Sequence, residues 1–159
     1  MKKIIIFGNS SSGKSTLAKK LASQNKIAHL DLDTLAWLPK VPPTRTPLVN
    51  SSKQIRCFIK ENDAWVIEGC YTDLIELIIK QASEIIFMDL SIKLCIENAK
   101  NRPWETHKYS SKAEQDANLP MLIDWISQYK TRKDTFSLNA HQQLFNHFKK
   151  EKTLITYNR

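Results

Sequence analysis

Apolar residues fall into short blocks separated by longer amphipathic stretches. Lys3 to Phe7 holds three isoleucines and a phenylalanine before Gly8. That is the length and β-branched character of a strand buried on both faces. Residues 13–24 follow, with Leu17, Ala18, Leu21 and Ala22 on one face at helical spacing. Further strands are predicted over Ile27–Leu30, Trp65–Ile67, Ile85–Met88 and Thr153–Tyr157. Helices are predicted over 51–61 (opened by Ser51 or Ser52), 73–83 and 91–101, and near 117–130 and 138–150. Pro39, Pro42, Pro43 and Pro47 make 39–47 a loop, and the polar, aromatic stretch 102–115 reads as another. Strand and helix alternate throughout. The expected class is therefore α/β, a parallel sheet covered by helices on both faces. With no repeat, low-complexity tract or linker, residues 1–159 read as one domain.

Composition narrows the classes. Hydrophobic residues make up 42% and charged residues 25% of the 159, which argues against disorder. No stretch reaches the roughly 20 apolar residues of a membrane span. The apolar run at the start is too short for a signal peptide. The three cysteines, Cys57, Cys70 and Cys95, form no CxxC pair. That suits a reducing compartment, and a cytoplasmic location is expected. The four histidines are not spaced as zinc ligands. A net charge of +8 favours anionic partners: nucleotides, phosphorylated metabolites or nucleic acid. The lysines are scattered, so a solvated basic surface explains them as well as a nucleic-acid patch does.

The most specific signal is Gly8-Asn9-Ser10-Ser11-Ser12-Gly13-Lys14-Ser15, a complete G-x-x-x-x-G-K-[ST] between a predicted strand and helix. The glycines let successive N–H groups turn inward as an anion nest. The helix N-terminus adds partial positive charge. Lys14 can follow the β- and γ-phosphates and Ser15 offers a hydroxyl to Mg²⁺; Thr16 reads as a local packing or capping residue, though within reach of the α-phosphate. The segment predicts a site for Mg-ATP.

Carboxylates gather where strands end. Asp31 and Asp33, at i and i+2, point to the same side of an extended chain. Loops at the carboxyl ends of parallel strands form the ligand crevice. One carboxylate would support the metal, and Asp33 would take a proton from an attacking hydroxyl. The plainer alternative has Asp33 capping a short helix. Such a base is needed for a hydroxyl acceptor more than for a phosphate, which tilts the acceptor toward a hydroxyl. Glu68 and Asp89 each end an apolar strand, and either one could order the metal.

The loop Asn101 to Tyr109 supplies cations and a cover. Arg102 is the first candidate for transition-state charge, with Lys108 second and Arg132 a further one. Arg45 and Arg56 are candidates for an acceptor phosphate or carboxylate. Trp37 and Cys70 read as packing residues.

Taken in order, Gly8–Ser15, His29–Asp33, Trp65–Tyr71, Ile85–Leu90 and the Arg102 loop resemble the small P-loop kinases of the adenylate kinase and shikimate kinase group. More closely, the chain is similar to bacterial adenylate-kinase-like proteins labelled DNA topology modulation proteins. Pro103-Trp104-Glu105 and the stretch 124–145 look like that subgroup too. The resemblance implies an α/β/α sandwich with five parallel strands in the order 2-3-1-4-5. It implies a substrate-binding segment at about 34–62 and a short lid at about 102–115. Gly8 to Thr16 would bind ATP, with Ser15, Asp31 and Glu68 at the metal. Lys14, Asp33, Arg102 and Arg132 would be catalytic. Glu68-Gly69-Cys70-Tyr71 departs from both kinase patterns at the end of the third strand. The expected activity is phosphoryl transfer from Mg-ATP to a small, hydroxyl-bearing acceptor. A nucleoside monophosphate kinase, a lone nucleotidase and an ATP-binding, nucleic-acid-associated regulatory protein stand as alternatives.

Overall fold

The computed structural model describes residues 1–158. Five parallel strands form one sheet: β1 (Lys3–Gly8), β2 (Ala28–Asp31), β5 (Trp65–Gly69), β6 (Glu84–Met88) and β7 (Glu151–Ile155), in the order β2-β5-β1-β6-β7. The sheet runs 2-3-1-4-5 when its own strands are counted. Chain numbering differs only because a two-stranded antiparallel ribbon, β3 (Trp37–Leu38) with β4 (Thr44–Arg45), lies between the second and third sheet strands.

Among the described residues seven α-helices flank the sheet: α1 (Lys14–Asn25), α2 (Asp33–Ala36), α3 (Leu48–Glu61), α4 (Thr72–Glu76), α5 (Ile92–Lys100), α6 (Lys112–Ser127) and α7 (Leu138–His147). Side chains alternate along each strand, so β1 feeds two cores. Ile5 and Phe7 join Trp65, Ile67, Ile85 and Phe87 beneath α3, α4 and α7. Ile4 and Ile6 join Val66, Ile86 and Met88 beneath α1, α5 and α6. Double burial is why these strands read as continuous apolar runs. Among the described residues no helix is long and apolar enough to cross a membrane.

Several boundaries differ from expectation. Helix α3 begins at Leu48, because the Pro47 carbonyl accepts from the N–H groups of Asn50 and Ser51. The stretch 73–83 splits into α4 and a 3-10 turn at Ile79–Gln81. Helix α6 starts five residues early, at Lys112. Ser111 Oγ accepts from the Glu114 N–H at 3.0 Å, and the helix carries Pro120 in its interior. Cap chemistry outweighed the polar composition that marked this stretch as loop. The last strand lies at 151–155, two residues before the predicted 153–157.

Candidate active site

The crevice lies at the carboxyl ends of β1, β2 and β5. Gly8 leaves β1 with φ 156°, and a Cβ there would come within 2.4 Å of the Met88 carbonyl oxygen. Gly13, at φ 92°, turns the chain into α1. Outward-facing carbonyls of the loop are taken by asparagines: Asn98 donates to Ser11 O at 2.9 Å and Asn158 to Ser12 O at 3.2 Å. Asn9 donates its side-chain amide to Ile126 O and accepts from the Ser10 N–H. Lys14 Nζ crosses the loop to Asn9 O at 2.6 Å. Ser12 Oγ is buried with no partner among the described residues. Ser15 is half-buried and Thr16 exposed at the start of α1. Curled backbone, a cation across the loop and an orphaned buried hydroxyl fit the phosphate groups of a nucleotide.

Asp31 ends β2 beside Glu68 of β5, its register partner. Asp31 Oδ1 accepts from the Asp33 N–H at 2.9 Å. That bond makes Asp31, and not Asp33, the residue that shapes the start of α2, so Asp33 does not cap the helix. Burial, then the charges of Glu68 and Asp33, raise the Asp31 carboxyl to about 6. Glu68 is buried, and its Oε2 pairs with His29 Nε2 at 3.0 Å. A half-buried hydroxyl and crowded carboxylates are hard oxygen donors, suited to Mg²⁺. Among the described residues no group of three or more His, Cys, Asp or Glu side chains could hold a metal ion.

Asp33 is gripped from two sides. Tyr71 donates its hydroxyl to Oδ1, and Lys108 Nζ lies 2.8 Å from Oδ2. Trp37 Nε1 donates to the Tyr71 oxygen at 2.8 Å, extending the chain outward. Burial pushes the Asp33 carboxyl up. Lys108, the Tyr71 hydroxyl and the Lys14 charge outweigh it and hold the group below its ordinary value. Asp33 therefore stays ionised at neutral pH.

Next to this carboxylate is an aromatic box. The Arg45 guanidinium carbon is 5.9, 5.0 and 5.4 Å from the ring centroids of Trp37, Tyr71 and Phe136. Asp73 accepts from it with both oxygens, at 3.1 and 3.2 Å. Arg45 Nε is buried without a partner among the described residues. Arg132 stacks on Trp125 at 3.5 Å, pairs with Asp134 and lies 5.5 Å from Phe136. Phe136 is thus the wall the two arginines share.

The remaining candidates scatter. Arg102 donates to Ser11 Oγ in the loop and to Glu105. Arg132 contacts the aromatic box rather than the phosphate loop. Asp89 lines a separate cavity of about 370 Å³ with Ser91, Tyr129, Lys130 and Thr156. Burial raises its carboxyl, against the charge of Lys130. Arg56 is exposed on α3. Burial pushes the Cys70 thiol up to about 12, which keeps it unreactive. Sequence reasoning passed over the roles of Tyr71, Asp73, Glu105 and Phe136. No local signal marks Tyr71, Asp73 and Phe136, because their partners lie far away in the chain.

No family model matches the chain, and no curated protein matches it. Solved structures do. A gluconokinase from Sinorhizobium meliloti 1021 superposes with a TM-score of 0.52 at 13% identity, covering 99% of this chain and 83% of that one. The chain shares the fold of that enzyme, a parallel five-stranded sheet between helices. A shikimate kinase from Bacteroides thetaiotaomicron matches at TM-score 0.42 and 12% identity, over 91% of this chain and 97% of that one. At such identities the likeness is one of fold. The closer resemblance to DNA topology modulation proteins finds no support in these comparisons.

Proposed function

We propose that the protein is a phosphotransferase that moves the γ-phosphoryl of Mg-ATP to a hydroxyl of a small anionic acceptor. The observation that carries this reading is Asp33: an ionised carboxylate fixed between Tyr71 and Lys108, within the electrostatic reach of Lys14. A base held there suits a hydroxyl. A phosphate acceptor is already anionic near neutrality and needs none. The orphaned Arg45 Nε, and the Arg132 guanidinium that shares the Phe136 wall with it, support the anion preference. That one structural neighbour is a gluconokinase agrees with this class of acceptor.

The loop Gly8 to Thr16 and Lys14 hold the donor's phosphates. The acceptor's carboxylate or phosphate meets Arg45, with Arg132 behind Phe136, and its hydroxyl meets Asp33. The hydroxyl oxygen bonds to the γ-phosphorus as its proton passes to Asp33. The bond to the β–γ bridging oxygen breaks, and ADP leaves with that electron pair. Lys14 and Arg102 balance the charge that spreads over the transferring oxygens. Ser15 Oγ, Asp31 and Glu68 would hold Mg²⁺. The metal, when bound, neutralises phosphate charge.

ADP release from Mg-ATP, measured with pools of hydroxy acids, sugars, nucleosides and nucleoside monophosphates, tests the reading. Stimulation by hydroxy acids, lost in both Lys14→Ala and Asp33→Asn, is expected. Stimulation by monophosphates that survives Asp33→Asn would refute the hydroxyl acceptor. Absence of Mg-ATP binding would refute the activity.

A further inference from the structure

Between Arg102 and Ser111 the lid loop carries one carboxylate, Glu105, among its cations, and it is central. Glu105 Oε1 accepts from Arg102 at 2.8 Å, and Oε2 lies 3.6 Å from Lys108 Nζ. Its side chain is only 17% exposed. The two cations reach different elements, Arg102 the phosphate loop and Lys108 the start of α2. A second guanidinium nitrogen of Arg102 donates to Ser11 Oγ in the phosphate loop. Lys108 Nζ sits on Asp33 Oδ2 at 2.8 Å. Ser11, Arg102, Glu105, Lys108 and Asp33 thus form a continuous polar chain across the site, from the donor side to the acceptor side.

Glu105 is also fixed at its backbone. Its N–H donates to Gln115 Oε1 of α6 at 2.8 Å. The Gln115 amide nitrogen reaches the Pro103 carbonyl at 3.1 Å. The Glu105 carbonyl accepts from the N–H groups of Lys108 and Tyr109, both at 3.0 Å. One residue therefore closes the lid turn and joins its cations. Two like charges brought to one phosphoryl group repel each other, and a lysine on a four-carbon stem must lose its freedom to stay there. A carboxylate shared between them answers both problems.

We infer that Glu105 is the positioning residue of the lid, yoking Arg102 to the donor half and Lys108 to the acceptor half so that both cations reach the transferring phosphoryl together. The inference rests on the phosphotransferase reading. It adds that Lys108 acts in the same step as Arg102, and that neither cation works at full effect alone.

The test compares Glu105→Gln, Glu105→Asp, Lys108→Met and the Glu105→Gln/Lys108→Met double variant. The first readout is ADP release from Mg-ATP with the acceptor pool that stimulates it most. In Glu105→Gln, kcat should fall roughly 10- to 100-fold, the scale of a misplaced catalytic group. KM for Mg-ATP should stay within about twofold, since the phosphate loop is untouched. Glu105→Asp should recover part of the loss. The double variant should be no slower than the worse single one, as expected for residues acting as a unit. Unchanged kcat in Glu105→Gln, or losses that multiply in the double variant, would overturn the inference. The second readout is amide hydrogen exchange over residues 102–111, without nucleotide. Exchange there should quicken roughly fivefold in Glu105→Gln and likewise in Lys108→Met, the scale of a partly exposed ion pair. If the wild-type protein releases no ADP, the phosphotransferase reading fails by itself and exchange judges the yoke. Unchanged exchange in both variants would then overturn it.

Discussion

His141 holds up the active site from behind, and its protonation should loosen that support. The ring is fully buried against Phe7 and Phe87, which stack on each other. Its Nε2 lies 2.9 Å from the Cys70 carbonyl, and its Nδ1 lies 2.6 Å from the Tyr129 hydroxyl. Neutral imidazole satisfies both partners with Nε2 donating and Nδ1 accepting from Tyr129. Cys70 immediately precedes Tyr71, the residue that holds Asp33. Burial lowers the His141 pKa from 6.5 to about 4, against the hydrogen bond to the Cys70 carbonyl. The native state therefore refuses a proton that the unfolded chain accepts below about pH 6.5. The stability contributed by neutral His141 is present above that pH and is lost as pH falls toward 4. At about 1.4 kcal/mol per pH unit, the loss between pH 7 and pH 5 is about 2 kcal/mol. Asp31 works in the opposite direction. Its carboxyl is raised to about 6, so acid relieves a native-state cost over the same interval. Wild type alone would show only the balance of the two. His141→Gln keeps an amide donor and an acceptor oxygen in place without the titration, and it cancels the Asp31 contribution. Urea unfolding of both proteins at pH 7 and pH 5, followed by tryptophan fluorescence, gives the needed difference. Wild type should lose about 2 kcal/mol more than His141→Gln over that interval. Equal losses in the two proteins would refute the argument.

Gly8→Ala drives a Cβ to within 2.4 Å of the Met88 carbonyl in a backbone conformation L residues rarely adopt. Mg-ATP binding should be lost, and the thermal midpoint should drop by several degrees in calorimetry. Tyr71→Phe removes one of the two groups that hold Asp33, a hydrogen bond to a charged group worth about 2 kcal/mol. Turnover should fall roughly tenfold with the KM for Mg-ATP unmoved, which steady-state kinetics would show. Arg45→Ala takes away the guanidinium stacked in the aromatic box. The KM for an anionic acceptor should rise by roughly tenfold or more and an uncharged analogue should lose its disadvantage, as read by paired kinetics on the two acceptors.

Much of the architecture is written locally. Five short apolar runs, the loop Gly8 to Ser15 and the helical spacing after it are each contained within about a dozen residues. Strand burial and turn chemistry act over that same range, so the alternation of strands and helices and the phosphate loop follow from local pattern, whereas the strand order was implied only by the family resemblance and is set by long-range pairing. The split of α4 and the early start of α6 do not follow from local pattern either. They depend on which apolar side chains find room against the sheet and on which polar residue captures a free N–H group. The acceptor side is further still from local pattern. Asp33 meets Tyr71 and Lys108 across separations of 38 and 75 residues. Arg45 gathers side chains from three segments of the chain, around residues 37, 71–73 and 136, and Arg102 meets Ser11 across 91 residues. Periodicity tells which face of an element is apolar. It does not tell which loop tips converge once the elements pack, because that depends on the crossing of helices over a twisted sheet. The residue types for a phosphoryl donor site were therefore legible in sequence, while the partners of the candidate base and the place of every cation around it were decided only by tertiary structure.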